Sequence, residues 1–204
     1  MKPEPPELRG VSRETRDRLG VYVDLLLRWN RTINLVSRRD EAVVWERHVA
    51  DSAALAACLT GPPRVAIDIG SGAGLPGLVL AIVTGWHFHL IEADQRKCAF
   101  MREAARATAA PVSVHAMRIE AAQLPPAAIV TARALAPLDK LLGWAAPLLA
   151  PGGHCLFPKG KTVDAELTQA ARRWHMVAER LPSPTDPAAT ILRISEISRV
   201  SDLS

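Results

Sequence analysis

A glycine-rich turn after an apolar run is the part of this chain best suited to chemistry. Residues 65–77 have the sequence Val-Ala-Ile-Asp-Ile-Gly-Ser-Gly-Ala-Gly-Leu-Pro-Gly. Glycines at three alternate positions let the backbone turn sharply and approach a ligand without a Cβ in the way. A strand, such a turn and a following helix are typical of a nucleotide-cofactor site. We therefore expect Gly70, Gly72 and Gly74 to lie against a cofactor.

Two acidic residues distinguish between the cofactors that this turn can bind. Asp68 precedes the first glycine, where its charge would repel the pyrophosphate of a dinucleotide but attract the sulfonium and ammonium groups of S-adenosylmethionine (SAM). Glu92 ends the next predicted strand, where an acid binds ribose hydroxyls. Together the two acids favour SAM. A nicotinamide or flavin cofactor, which the spacing Gly72-x-Gly74-x-x-Gly77 also fits, and a purely structural turn are the alternatives.

The pattern of apolar residues predicts the scaffold that must position these groups. An amphipathic helix is predicted over 12–30 and a second helix over about 40–58, and Gly-Pro-Pro at 61–63 ends this helical part. From residue 64 onward, apolar runs alternate with helical periodicity. The predicted strands are 64–69, 87–92, 112–116, 127–132 and 153–157, the predicted helices are 75–84, 95–108, 137–149 and 163–174, and two late strands lie near 175–181 and 190–197.

This alternation predicts an α/β fold with a Rossmann-like, doubly wound and mostly parallel sheet. Ligands of such sheets bind at the carboxyl ends of the strands. The two late strands have no helix between them, so we expect an antiparallel edge. We assign residues 1–62 to an N-terminal helical extension packed on the core and residues 63–204 to the Rossmann-like domain. The extension either forms a lid over the target site or completes the core.

The overall composition fits one domain with an extension. The 204 residues are 49% hydrophobic, enough to fill a substantial core. A pI near 9.3 and a net charge of +4 are compatible with nucleic-acid binding but are also ordinary for a solvated surface. We expect a cytoplasmic protein without a membrane partner, because no signal peptide or membrane span is recognisable. The cysteines, at 58, 98 and 155, form neither a disulfide framework nor a zinc motif, and we expect no metal.

If SAM donates a methyl group, the ends of the fourth and fifth strands limit the acceptor. Enzymes that methylate exocyclic amines usually carry an Asp/Asn-Pro-Pro-aromatic motif there, whereas residues 131–134 are Thr-Ala-Arg-Ala. Cys155 lies inside a strand, which disfavours the cysteine nucleophile of cytosine-C5 chemistry. A ring nitrogen such as guanine N7 needs neither device, because its lone pair attacks directly and positioning suffices. A protein that only binds RNA fits the same observation.

Several motifs, taken in order, resemble the bacterial 16S rRNA guanine-N7 methyltransferases, the RsmG family, formerly called glucose-inhibited division protein B. The matching segments lie at 34–37, 47–52, 68–77, 118–120, 132–134 and 159–160. The resemblance implies methyl transfer from SAM to N7 of a guanine in a 16S rRNA loop near the decoding region. Val79 replaces a proline common in relatives, and the chain after residue 165 matches loosely. We expect a monomer that acts on rRNA within the small ribosomal subunit.

The resemblance also implies site residues. Cofactor contacts are implied at Gly70, Leu75, Ile119, Glu120 and Arg133. The catalytic residue stays open, with Asn34, His48, Arg133 and Lys159 as candidates. The candidate RNA contacts are Arg47, His48, Lys159 and Lys161.

Each of these side chains has a structural alternative. His48 and Asp51 could form a hydrogen-bonded pair that merely fixes a helix. Asn34 could cap a helix, Arg133 could pair with a buried acid, and the two lysines could simply be solvated. Two functions from other classes also stay open: a methyltransferase acting on a small molecule, and a non-catalytic RNA-binding module.

Overall fold

The computed structural model describes Leu8, residues 11–62 and residues 64–200; the ends of the two assigned parts, at 1–7, 9–10, 63 and 201–204, lie outside the described residues. Helix α1 spans Arg13–Asn30 and begins at Ser12, whose hydroxyl oxygen accepts a hydrogen bond from the Thr15 amide at 3.1 Å. Its buried face carries Leu19, Tyr22, Val23, Leu25 and Leu26, as the predicted apolar stripe requires.

The second half of the extension is helical but is not the single helix predicted over 40–58. A 3₁₀ turn (Glu41–Val43), a π-helical turn (Trp45–Val49), the short helix α2 (Ala50–Ala54) and another 3₁₀ turn (Leu55–Cys58) follow one another. The Ser52 hydroxyl donates to the His48 carbonyl at 2.7 Å, a side-chain bond that competes with regular helical pairing. Single π turns of this kind occur often at functional sites.

Seven strands form one sheet in the order β3-β2-β1-β4-β5-β7-β6. The first five are parallel, and β7 pairs antiparallel with both β5 and β6, which confirms the predicted edge. The strands are β1 (Val65–Ile69), β2 (His87–Glu92), β3 (Val112–Ala116), β4 (Ala127–Thr131), β5 (Leu149–Lys159), β6 (Trp174–Pro182) and β7 (Thr190–Arg199).

Helices cover the sheet on both faces. The later helices are α3 (Gly77–Thr84), α4 (Gln95–Thr108), α5 (Leu138–Ala145) and α6 (Val163–Ala170). On one face α1, α3 and α4 bury a core that includes Tyr22, Phe88 and Phe100. On the other face α5 and α6 pack over Val130 and Phe157. Burial of such side chains contributes about 1.5–3 kcal/mol each, so the extension shares the main core rather than lying outside it.

Several boundaries differ from the predicted ones, and α6, for example, ends at Ala170 instead of 174. Helix α5 ends at Ala145 and a 3₁₀ turn over Ala146–Leu148 follows, so β5 begins at Leu149 instead of 153. The extra strand residues pair irregularly, with a register shift opposite Ala127 and Ile129 that local periodicity does not reveal. Among the described residues, no helix combines the length and the apolar character that crossing a bilayer would require.

Candidate cofactor and substrate site

The glycine turn has a backbone that requires glycine. Gly70, Gly72 and Gly74 have φ angles of +64°, +56° and +80°. A Cβ on Gly70 would lie 2.5 Å from Leu135 Cδ1, and one on Gly74 would lie 2.8 Å from Leu78 Cβ. A Cβ on Gly72 would have just the Gly70 carbonyl oxygen within 4 Å among the described residues, at 3.9 Å. The turn therefore combines tight packing below with open space beside its middle glycine, as a cofactor cradle needs.

Glu92 holds this turn against the end of β2. Its Oε2 accepts a hydrogen bond from the Gly72 amide, and its Oε1 accepts one from the Asp94 amide, both at 2.9 Å. An ionised carboxylate has about four acceptor positions, so both oxygens can take a further donor. The sequence placed Glu92 beside the glycines, and the structure brings them into direct contact. A ribose diol held by this carboxylate remains a prediction.

Asp68 lies beneath the turn rather than in the open cleft. Its side chain has no exposed surface, and its Oδ1 accepts the Thr131 hydroxyl at 2.6 Å. A Cβ on Gly77 would lie 2.6 Å from Asp68 Cβ, so the carboxyl sits under the start of α3. Burial raises the pKa of Asp68 to about 6, although the hydrogen bond from Thr131 opposes this shift.

The position of Asp68 bears on the choice of cofactor. Among the described residues, no hydrogen-bond donor is correctly placed for its Oδ2. A buried carboxylate with an unsatisfied oxygen is stabilised by a nearby cation and destabilised by a phosphate. The site therefore fits SAM better than a dinucleotide. The effect works through the charge of Asp68, as the sequence analysis argued, and this charge belongs to a buried group.

Arg133 follows β4 and is mostly buried, yet its guanidinium forms no hydrogen bond or ion pair with any described residue. Burial lowers its pKa, and the charges of Tyr22, Asp51 and other acids raise it. Tyr22 comes from α1, where its hydroxyl donates to the Ala73 carbonyl at 2.8 Å, inside the glycine turn. The buried acid that might have paired with Arg133 is therefore not in contact, and the guanidinium stays available for a ligand.

His48 lies close enough to Arg133 for the charge of the guanidinium to affect it. Its side chain is 11% exposed, and Nε2 lies 3.4 Å from Asp40 Oδ2 without hydrogen-bond alignment. Burial lowers the pKa of His48 to about 4, and the charge of Arg133 adds to this shift, so the imidazole is neutral near pH 7. The pair with Asp51 is not formed. Arg47 pairs with Asp40 at 3.3 Å but is 67% exposed, which leaves it accessible to RNA.

The two candidate lysines have different environments. Lys159 is 9% exposed, and its Nζ donates to Glu166 Oε2 at 2.7 Å and to the Ala136 carbonyl at 3.3 Å. The same oxygen of Glu166 accepts the Leu138 amide at 3.0 Å. Lys159 thus joins the end of β5 to α5 and α6, so it is not a solvated lysine, and its candidate roles in catalysis and RNA binding stay predictions. Lys161 is exposed and remains a candidate.

Asn34 does not cap a helix. It is exposed and lines a surface depression of about 340 Å³ together with Asp94, Arg96 and Lys97 at the start of α4. The structural work is done by Asn30, whose Oδ1 accepts the amides of Leu35 and Val36 at 2.8 and 3.0 Å. Asn34 therefore lies at the surface beside the start of α4, its alternative as a helix cap is wrong, and its role at the pocket mouth stays a prediction.

The remaining implied cofactor residues lie around the same cleft. Leu75 is buried in the core, so its backbone, and not its side chain, faces the turn. Ile119 is half-buried and Glu120 is exposed, in a short 3₁₀ turn after β3. The Met117 amide donates to the Glu92 carbonyl at 3.0 Å, which places that turn beside the end of β2. This places the turn that carries both residues near the cradle, and their contacts with the cofactor stay a prediction.

Sequence reasoning missed a second acidic group near Arg133. Asp51 of α2 and Arg133 line a cavity of about 80 Å³, which the segment between β6 and β7 closes with Thr185 and Asp186. Burial raises the pKa of Asp51, and the nearby Thr185 hydroxyl opposes this shift. Asp51 belonged to a matched motif, but its partners lie in the loosely matching part of the chain, so nothing local connected them.

Comparison with known proteins agrees with this geometry. Residues 15–185 match the family model described as rRNA small subunit methyltransferase G. The chain is 58% identical to ribosomal RNA small subunit methyltransferase G of Granulibacter bethesdensis, over 96% of this chain and 92% of that protein. It is also 58% identical to the protein of that name from Rhodospirillum centenum, over 93% and 88%.

Solved structures support the fold. The glycopeptide N-methyltransferase MtfA superposes with a TM-score of 0.62 at 10% identity, over 78% of this chain and 99% of that one. At this identity the likeness concerns the fold alone, which is that of Rossmann-like methyltransferases. Since the family model covers most of the chain and the relatives align over nearly their whole length, the chain belongs to the ribosomal RNA small subunit methyltransferase G family.

Proposed function

We propose that this protein transfers the methyl group of SAM to N7 of a guanine in a loop of 16S rRNA near the decoding region. Two features together carry the proposal. Glu92 holds the glycine turn through the Gly72 amide, and the mostly buried Arg133 close to this turn has no ion-pair partner among the described residues. The turn suits a nucleoside cofactor, and the guanidinium beside it suits an anionic or carbonyl oxygen. The relatives' names and the family description supply the rRNA substrate.

The residues present fit SAM. Glu92 would hold the ribose hydroxyls, the 119–120 turn the adenine side, and Arg133 the methionine carboxylate, because a guanidinium pairs well with a carboxylate. Asp68 supplies negative charge beneath the cradle. When bound, SAM supplies an electrophilic methyl group on its sulfonium.

Guanine N7 carries a lone pair and no proton, so no side chain has to remove one. The task of this chain is to orient the base in line with the methyl group and to exclude water, and such positioning is worth up to about 7–11 kcal/mol. Neutral His48 suits this role, since it adds no competing positive charge, and Tyr22 supports the glycine turn from beneath through its hydrogen bond to Ala73.

The substrate is rRNA within the small ribosomal subunit, and the protein acts on it as a cytoplasmic monomer. A net charge of +4 is small for a protein that must bind naked RNA by charge alone, so a folded particle supplies much of the recognition. Arg47 and Lys161 are exposed and offer phosphate contacts. N7 lies in the deep major groove of A-form RNA, so the target guanine must be unstacked in a loop.

The test is transfer of labelled methyl from SAM to small subunits from cells that lack this protein, followed by chemical cleavage at N7-methylguanine. We expect one cleavage stop in a 16S loop. Glu92→Ala should abolish labelling, and Glu179→Ala, an exposed glutamate on β6, should retain it. Label in a low-mass fraction instead of RNA would indicate a small-molecule methyltransferase. A wild-type protein that does not bind SAM would indicate a non-catalytic RNA-binding module.

A further inference from the structure

The cavity beside Arg133 contains the carboxylate of Asp51, to which the proposed methyl transfer assigns no role. Asp51 enters it from α2, and the 183–190 segment between β6 and β7 forms its opposite wall. It therefore joins the extension to the antiparallel edge at the carboxyl end of the sheet. Its volume of about 80 Å³ equals two or three water molecules at about 30 Å³ each. This space accommodates one edge of a base but not a whole base.

Asp51 is the acceptor best placed in this cavity. Its carboxylate is half-buried and lines this cavity together with Thr185, and its oxygens keep acceptor positions for a ligand. Burial raises its pKa, while the charges of Arg133 and Arg47 lower it and that of Asp186 raises it. Asp186 has another task, because its Oδ1 accepts the Ala188 amide at 2.8 Å and shapes the loop.

A carboxylate at this position matches guanine and opposes adenine. The Watson–Crick edge of guanine has two adjacent donors, the N1–H and the N2 amino group, and a carboxylate accepts both. Adenine has an acceptor at N1, which would face the carboxylate without a proton between them. Adenine also has an N7, so an enzyme that methylates N7 has to distinguish the two bases elsewhere. N7 lies on the far side of the purine from this edge and stays free.

We propose that Asp51 binds the Watson–Crick edge of the target base and thereby selects guanine over adenine. Arg133, which lines the same cavity, balances the charge of this carboxylate. Bases in RNA loops are commonly recognised on this edge once they are unstacked. The inference rests on the proposed function, since it concerns the base that receives the methyl group.

The test compares small subunits that carry guanine or adenine at the target position, with labelled SAM and either the wild-type protein or Asp51→Asn. Asparagine has nearly the same shape but replaces one acceptor by a donor, a pattern that suits adenine. We expect kcat/KM on guanine to fall about 10- to 100-fold, the preference for guanine over adenine to fall by at least as much, and SAM affinity to stay within about twofold of wild type.

Two further variants separate recognition from folding and from charge. Thr185→Val removes a hydroxyl from the lining of the cavity but keeps the carboxylate, so the guanine preference should survive a small loss of rate. Asp186→Asn removes one charge from the same cavity and should also keep the preference. An unchanged preference in Asp51→Asn, or an equal loss in Asp186→Asn, would overturn the inference. If the wild type labels no rRNA at all, it is the proposed function that fails instead.

Discussion

Replacing Lys159 by alanine tests whether this lysine supports the fold or binds RNA. Its ammonium donates to Glu166 and to the Ala136 carbonyl, and its side chain is 9% exposed. Burial raises the pKa of Glu166, but the hydrogen bond and charge of Lys159 outweigh this and hold that pKa below its usual range. The ion pair is therefore a feature of the folded state and is lost in the variant.

The magnitude follows from burial. Removing one partner of a buried pair destabilises by about 3–5 kcal/mol, but Glu166 is 20% exposed and keeps the amide of Leu138 and the hydroxyl of Thr162 as donors. We expect Lys159→Ala to lower the free energy of unfolding by about 2–3 kcal/mol. For a chain of this size, that corresponds to a fall in Tm of about 4–12 °C.

The assay is thermal unfolding beside rRNA methylation at a temperature well below Tm. Lys161→Ala is the matched control, because the exposed neighbour should change stability by less than about 0.5 kcal/mol. The KM for small subunits and its salt dependence should stay unchanged in Lys159→Ala. Equal Tm values for the two variants, or a raised KM for Lys159→Ala without destabilisation, would refute a structural role and restore Lys159 as an RNA contact.

Two other substitutions test the glycine turn and His48. Gly70→Ala should destabilise the protein by about 1–3 kcal/mol in a denaturant titration and weaken SAM binding, because Gly70 has a positive φ and an added Cβ would lie 2.5 Å from Leu135. Gly20→Ala is the control on α1, where an added Cβ would have nothing within 4 Å in the described part of the chain. It should stabilise the protein by about 0.5–1 kcal/mol in the same titration. The pKa of His48 is lowered in the folded state, so the folded protein binds a proton at this site less readily than the unfolded chain does. The free energy of unfolding is therefore unaffected by this site above about pH 6.5, and it falls by up to about 3 kcal/mol as the pH is lowered through about 4. His48→Gln should remove this part of the acid destabilisation in urea unfolding between pH 7.5 and 4, and an identical pH slope would contradict the assigned shift.

Local patterns were sufficient to predict the framework of this protein. The alternation of apolar runs predicted the Rossmann-like sheet and its antiparallel edge, and the glycine turn with Glu92 predicted a SAM methyltransferase; fold, cofactor class and family are all confirmed. Periodicity succeeds here because strand and helix burial repeat every few residues. It also located Glu92 beside Gly72, since both follow directly from the ends of adjacent parallel strands.

The errors concern residues whose partners are distant or whose environment depends on packing. Lys159 resembled a rim lysine, but its contacts to Glu166 and Ala136 become visible when α5 and α6 are packed together. A pair of His48 with Asp51, the structural alternative that helical spacing offered, does not form, because a π turn changes that spacing and His48 lies beside Asp40. Sequence spacing assumes a regular helix, and this segment is irregular where it meets the site.

The irregular extension has a direct bearing on how the site is built. Arg133 belongs to the sheet, but the groups that surround it include Tyr22 from α1 and His48 and Asp51 from the 41–58 segment. A lone guanidinium in this position would be solvated, and it is the packing of the extension that removes water and makes its charge available to a ligand. The same packing buries Leu55 and Val49 in the core shared with α3. Lid and core-completing cap were alternatives at the level of sequence. The burial of these residues shows that the segment completes the core, and a lid over the target site stays a prediction.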